Sequence, residues 1–302
     1  MENKGLIASS LILAGVIIIG CKTHFDTTTS DYKAVVNSQN VEHGKALTFT
    51  ICAGCHYNHE AKKFTGNPIL DVPGIAGKVY SANLTHSASH GMTAKYSDAQ
   101  IRYLLKTGVA KDGRFLAYML RPNMADEDVN DIIAFLRSDD PALAASDRSA
   151  GQTHYTLIGK AYNGFEANPA PYRSNVKRPT DPVALGRYLV DNVGCYHCHS
   201  KSLRSINSIN PEQTKGYLAG GIKFKSENGA GITASNITPD KNTGIGNYSK
   251  EDFLKAVKHG RAPNRTLRPP MDKFEYLTDR EVDAIYAYIM TLTPKNNPVK
   301  HI

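Results

Sequence analysis

The sequence has no tryptophan and only five cysteines in 302 residues. So few thiols exclude a disulfide-built scaffold. Long apolar runs are missing beyond the first twenty residues, which excludes a multi-span membrane protein. No Lys/Arg run is present and aromatic residues do not alternate with basic ones, so no nucleic-acid partner is expected. Charge of one sign is not in great excess either, with 36 Lys+Arg against 28 Asp+Glu. The surplus is local: residues 40–140 balance at eleven of each sign, whereas residues 181–302 hold seventeen basic and twelve acidic residues. That C-terminal excess reads as a docking field for an acidic partner. With 41% apolar and 21% charged residues, the chain is otherwise globular.

The single apolar run, Leu6 to Ile19, follows a short segment carrying one lysine. At about 15 residues it falls short of the roughly 20 needed to span a bilayer and has the size of a signal-peptide core. It ends Ile18-Ile19-Gly20-Cys21, which resembles the lipobox of bacterial lipoproteins. That resemblance implies removal of residues 1–20, lipidation of Cys21 and a periplasm-facing, membrane-anchored protein. Residues 21–39, polar and threonine-rich, are expected to be a flexible tether.

The remaining cysteines form Cys52-Ala53-Gly54-Cys55-His56 and Cys195-Tyr196-His197-Cys198-His199. Each is a C-x-x-C-H, the attachment signature of c-type haem. Two thiols on one helical turn can form thioethers to one porphyrin edge, and the next residue places its imidazole beneath the iron. A zinc site would need both pairs to converge and would leave the histidines unexplained. Thioredoxin-like pairs would need βαβ surroundings. Two covalent haems are therefore expected, with His56 and His199 as proximal ligands and His197 a bystander.

The surroundings of the two motifs repeat. Gly44-Lys45-Ala46-Leu47 precedes the first and Gly186-Arg187-Tyr188-Leu189 the second. Ser97 and Ser249 each cap a following apolar-periodic helix. A closing helix carries Val129, Ile132, Ile133 and Leu136 in the first copy, and Val282, Ile285, Ile289 and Leu292 in the second. Thr278 and Glu281 have capping-box spacing. Three helices in about 100 residues make a thin core, which the haem must complete. The fold is predicted to be all-α, with two tandem class I cytochrome c-like domains at 40–140 and 181–296. Residues 141–180, with four prolines, are expected to be an ordered connector that buries Tyr155, Tyr162, Phe165 and Tyr172.

An iron that shuttles electrons needs a sixth ligand, commonly methionine. Pro269-Pro270-Met271 precedes the second closing helix and nominates Met271. In the first copy Met119 is favoured over Met124, because Met124 stands two residues before Asp126 and suits a hydrophobic staple. Met92 is a third candidate. His59, His86, His90 and His259 are read as surface residues rather than as a bis-histidine site.

With these features the sequence resembles the diheme cytochrome c family, in particular cytochrome subunits of membrane-associated alcohol, aldehyde and sugar-acid dehydrogenases. Ser235-Asn236-Ile237-Thr238-Pro239-Asp240 carries the match, partly repeated at Asn83-Leu84-Thr85. The resemblance implies that Asn236 and Thr238 contact a haem propionate. It also implies an electron carrier between a dehydrogenase donor and an oxidase or other cytochrome acceptor. The alternative is a diheme enzyme, peroxidase-like or thiosulfate-oxidising. A haem-based sensor is disfavoured, since no output domain is recognisable.

Overall fold

A computed structural model describes residues 24–299, apart from Asp71, Pro73, Glu166, residues 226–230 and Asp272. The predicted signal segment and Cys21 lie outside the described residues. In the first half, α1 spans Ser38–Ile51 and α2 Ala53–His56, followed by β1 at Gly77–Lys78, α3 at Met92–Lys95, α4 at Asp98–Thr107 and α5 at Asp126–Leu136. The connector supplies β2 at His154–Tyr155 and α6 at Leu157–Phe165. The second half holds α7 at Pro182–Val193, α8 at Cys195–Cys198, β3 and β4 at Lys223–Lys225 and Gly231–Thr233, and α9 at Lys250–His259. It closes with β5 and β6 at Arg261–Ala262 and Arg265–Thr266, then α10 at Asp279–Met290.

Several helices begin where side chains satisfy orphan N–H groups. Ser97 with Gln100, Ser249 with Asp252 and Thr278 with Glu281 each form a reciprocal capping box. Gly108 and Gly260 end α4 and α9 in the left-handed conformation, which favours glycine. The three β-ribbons are antiparallel pairs of two or three residues, too short to show an alternating pattern in sequence. Among the described residues no helix is long and apolar enough to cross a membrane.

Each half is organised by one helix crossing. A Cβ on Gly44 of α1 would lie 1.7 Å from the Asp131 carbonyl oxygen of α5, and one on Gly186 of α7 would lie 1.9 Å from that of Ala284 in α10. Only glycine lets these backbones meet. The crossings bring Leu47, Val129, Ile132, Ile133 and Phe135 into one core, and Leu185, Leu189, Val282, Ile285 and Ile289 into the other. Each such side chain contributes about 1.5–3 kcal/mol when fully buried.

The halves are joined by a polar clamp. Arg178 pairs through Nη1 with Asp128 of α5 at 2.6 Å and through Nη2 with Glu281 of α10. The Tyr188 hydroxyl donates to the same Asp128 at 2.5 Å and accepts the Ala125 backbone N–H at 2.9 Å. Phe49 and Tyr276 stack across the junction at 4.6 Å.

Two expectations change. The described part of the segment read as a tether is a strap laid along the first half. The Phe25 N–H donates to the Gly113 carbonyl at 2.8 Å, that of Ala34 to Asp98, and that of Val35 to Asn130. The Tyr32 ring lies 4.4 Å beneath the Arg102 guanidinium. Two aromatics give this polar segment enough burial to hold it, and α1 already begins at Ser38. The connector runs along the first half through bonds such as Ala170 N–H to the Thr107 carbonyl. Tyr172 is nevertheless 43% exposed, because it stacks on Tyr103 at the surface. The side chains of Tyr162 and Phe165 lie outside the described residues.

Candidate haem site

Each C-x-x-C-H sits where a glycine-crossed helix gives way to a single helical turn. Cys52 caps α1, and Cys55 and His56 lie on α2; Cys195 and Cys198 bound α8, with His199 at its C-cap. Among the described residues no three His, Cys, Asp or Glu side chains converge as a metal cage, so the two cysteine pairs do not form a shared zinc site. Burial pushes the Cys52 and Cys195 thiols up to about 12, so both are held as neutral thiols.

The two motif histidines are fixed in the same way. His56 Nδ1 lies 2.8 Å from the Ala82 carbonyl oxygen, and His199 Nδ1 lies 2.8 Å from that of Ser235. A carbonyl only accepts, so Nδ1 carries the proton and the Nε2 lone pair is left for a metal. Burial holds both imidazoles below the usual histidine range, which keeps them neutral. A neutral imidazole with its far nitrogen tied to a carbonyl is the form that ligates iron, and the residues present therefore fit haem c.

The carbonyls are themselves held. The Thr85 N–H and hydroxyl both donate to Asn83 Oδ1, at 2.8 and 2.7 Å, and Asn83 Nδ2 donates to the Ser146 and Arg148 carbonyls. The second half repeats this. The Thr238 N–H and hydroxyl donate to Asn236 Oδ1 at 2.9 and 2.7 Å, and Asn236 Nδ2 donates to Thr243 Oγ1 and the Lys295 carbonyl. Asn236 and Thr238 are buried and their donors are spent. These bonds staple the loop that follows the Ser235 carbonyl. Gly66 and Gly220, at φ +83° and +72°, pass beneath these loops; a Cβ on either would lie 2.4 Å from the Ser81 or Ser235 carbonyl oxygen.

The distal loops also superimpose in their bonding. Leu116 N–H donates to the Gly108 carbonyl at 2.7 Å, Met119 N–H to Leu116 at 2.9 Å, and Met124 N–H to Arg121 at 3.1 Å. Their counterparts are Leu267 to Gly260 at 2.7 Å, Met271 to Arg268 at 3.1 Å, and Leu277 to Phe274 at 3.1 Å. Met119 therefore occupies the position of Met271, both partly exposed, while Met124 occupies that of the core residue Leu277. Met124 is 1% exposed and precedes the N-cap of α5, as a staple does. Met92 starts α3 and packs against the first core.

The other histidines find local partners. His86 Nε2 meets the Leu136 carbonyl at 3.0 Å, His90 Nδ1 the Ser89 hydroxyl at 2.9 Å, and His59 packs edge-on against Tyr57. His259 ends α9. His197, inside the second motif, lies against Tyr196 at 4.3 Å, and burial drops its imidazole to about 3.

The carbonyl acceptors of Ala82 and Ser235 were not found by sequence reasoning, because a backbone acceptor has no side-chain signature. The repeated Asn-x-Thr one residue downstream was the available signal.

Residues 41–140 match the cytochrome c family. Three relatives share similarity over part of their length. The fructose dehydrogenase cytochrome subunit of Gluconobacter japonicus is 37% identical over 45% of this chain and 26% of its own. The gluconate 2-dehydrogenase cytochrome c subunit of Pantoea cypripedii is 40% identical over 36% of this chain and 22% of its own. The cytochrome c subunit of the quinone alcohol dehydrogenase of Gluconobacter oxydans (strain 621H) is 45% identical over 36% and 21%. The similarity spans about a quarter of the length of these relatives.

Proposed function

From the cytochrome c match at residues 41–140 we propose that the whole chain is a cytochrome c, a lipid-anchored, two-haem relay for single electrons. Its donor is a dehydrogenase facing the periplasm and its acceptor an oxidase or another cytochrome. The observation that carries the reading is the duplication: both halves repeat a histidine, buried in the first and half-buried in the second, whose Nδ1 is tied to a carbonyl next to an Asn-Thr staple. In this reading Cys52, Cys55, Cys195 and Cys198 hold two haems, His56 and His199 are proximal ligands, and Met119 and Met271 are distal ligands. Cys21 carries the lipid.

When bound, haem c supplies the one-electron iron couple. The chain's own residues do the rest. The Ala82 and Ser235 carbonyls keep each imidazole in one tautomer and one plane. The staples keep those carbonyls from moving as charge changes, which lowers the cost of reorganisation. The distal loops are tied at both ends, so that each methionine stays in reach without a flexible search. Cores that contain Phe64 and Tyr196 back the attachment turns on their inner side. No acid–base pair is required, because no bond to substrate is made.

Potentiometric titration with visible spectra tests the assignment. Met119→Ala and Met271→Ala should each lower one midpoint potential and remove one sulfur-to-iron band, whereas Met124→Ala should leave both bands. The wild type should stay low-spin at both irons and take up no carbon monoxide when reduced. Stoichiometric uptake together with peroxide turnover would transfer the case to an enzyme.

A further inference from the structure

The connector carries an exposed apolar assembly that the electron-transfer reading does not use. β1 pairs with β2 through Gly77↔Tyr155 and Lys78↔His154. α6 is seated on the same ribbon. The Thr156 hydroxyl donates to the Ile75 carbonyl at 2.6 Å, and a Cβ on Gly159 would lie 1.9 Å from that of Ala76. On this small assembly Leu157 is 84% exposed, Leu70 70%, Ile75 66% and Ile158 57%. Four large aliphatic side chains left in water on one ribbon and helix start mark a contact surface. Two basic residues, Lys78 and Lys160, are exposed on the same elements.

The position of the chain's N-terminal strap says what covers this surface. Phe25 packs against Phe115 at 6.5 Å, in a small cluster of Phe115, Leu120 and Ala170 that Ala167, two residues beyond the end of α6, also packs against. The Arg114 charge, one residue from the strap's anchor at Gly113, reaches Tyr155 of β2. Only residues 22 and 23 separate His24 from Cys21, so the two Cα atoms are at most about 11 Å apart. α6, at nine residues, is itself only about 14 Å long. A lipid on Cys21 would therefore bring a bilayer to the corner of the molecule that carries the apolar assembly.

We propose that the β1–β2 ribbon and the start of α6 rest on an anionic lipid surface, with Leu70, Ile75, Leu157 and Ile158 in the interface and Lys78 and Lys160 at the headgroups. The inference rests on the lipid-anchor reading of Cys21. A polypeptide held by its acyl chain alone would tumble. A second, protein-borne contact fixes its orientation and so the direction in which its redox partners must approach.

The test is co-sedimentation of full-length holoprotein carrying Cys21→Ser with vesicles of phosphatidylethanolamine and phosphatidylglycerol. Residual binding is expected, and adding Leu157→Glu and Ile158→Glu should weaken it roughly tenfold or more. Val183→Glu with Leu203→Glu, at exposed apolar positions of the second half, should leave it unchanged. These sites are exposed, and unaltered haem spectra verify that the variants fold. Absence of vesicle binding, or equal loss in the control pair, overturns the proposal. So does a concentration-dependent dimer abolished by the Leu157 and Ile158 substitutions, which would assign the face to self-association. The anchor is judged separately: a wild-type protein without an acyl mass overturns the Cys21 reading, whereas the Cys21→Ser vesicle assay judges the face itself.

Discussion

The two halves of this molecule agree in their helix crossings and in the hydrogen bonding around the candidate haem sites, and differ most on their surfaces. Both tie the motif histidine to a carbonyl at 2.8 Å and both follow that carbonyl with a bonded Asn-Thr pair. In each, the chain beyond the closing helix returns to complete the staple, through Ser146 and Arg148 after α5 and through Lys295 after α10. The distal loops keep their bonding but change their sequence, Leu116–Met119 against Leu267–Met271. The outer surfaces share nothing. The first half is charge-balanced and covered by the strap and connector, whereas the second carries the basic excess. A histidine that must present one nitrogen tolerates little variation around it. Surfaces that choose partners and membranes are free to differ, and only there has the duplication drifted.

The strongest challenge to this comparison is to separate the halves. Arg178→Ala leaves Asp128, 1% exposed, with a buried charge and only the Tyr188 hydroxyl as partner. Breaking such a pair costs about 3–5 kcal/mol. Urea unfolding should show that loss, together with a transition that splits in two. An unchanged single transition would mean that the halves are joined elsewhere.

Met124→Ala sharpens the distal correspondence. If Met124 is the counterpart of Leu277, the cost is that of a core truncation, about 2–5 kcal/mol, with both haem spectra intact. Loss of a spectral band instead would make Met124 the ligand.

Gly44→Ala and Gly186→Ala test the equivalence of the two helix crossings. Each methyl would meet a carbonyl oxygen at under 2 Å. Forcing the helices apart should cost about 1–3 kcal/mol in either half. A large effect in one half and none in the other would break the symmetry.

The smallest effect concerns a group found only in the second half. Burial pushes the Asp191 carboxyl up to about 7, beside the Tyr217 hydroxyl at 3.2 Å. An unfolded aspartate titrates near 3.9. Between these values the folded chain keeps a proton that the unfolded chain has lost, so stability falls as pH rises and the penalty is complete above about 7. Asp191→Asn should therefore melt a few degrees higher than wild type above that pH and equally below about 4. A gain that does not depend on pH would contradict burial of the carboxylate as its cause.

Much of this was legible in the sequence because it is written in side chains. The capping residues Ser97, Ser249 and Thr278, the apolar steps of α5 and α10, and the paired Gly44 and Gly186 all mark their elements directly. The place of Met124 just before the start of α5 was likewise legible. What was illegible lies in the backbone or in sparse burial. The Ala82 and Ser235 carbonyls leave no trace in residue type. The strap at residues 24–37 has a tether's composition, and only Phe25 and Tyr32 distinguish it. Asn236 and Thr238 were visible as a motif, but the bonds between them were not, because a resemblance conveys position without showing where each donor points.

The central claim is that both halves, and not only residues 41–140, hold a haem. Intact mass of the mature protein, paired with a haem assay per polypeptide, tests it most directly. Two covalent haems per chain are expected, with one lost in Cys52→Ser/Cys55→Ser and the other in Cys195→Ser/Cys198→Ser. A single haem that survives loss of the second cysteine pair would contradict the account.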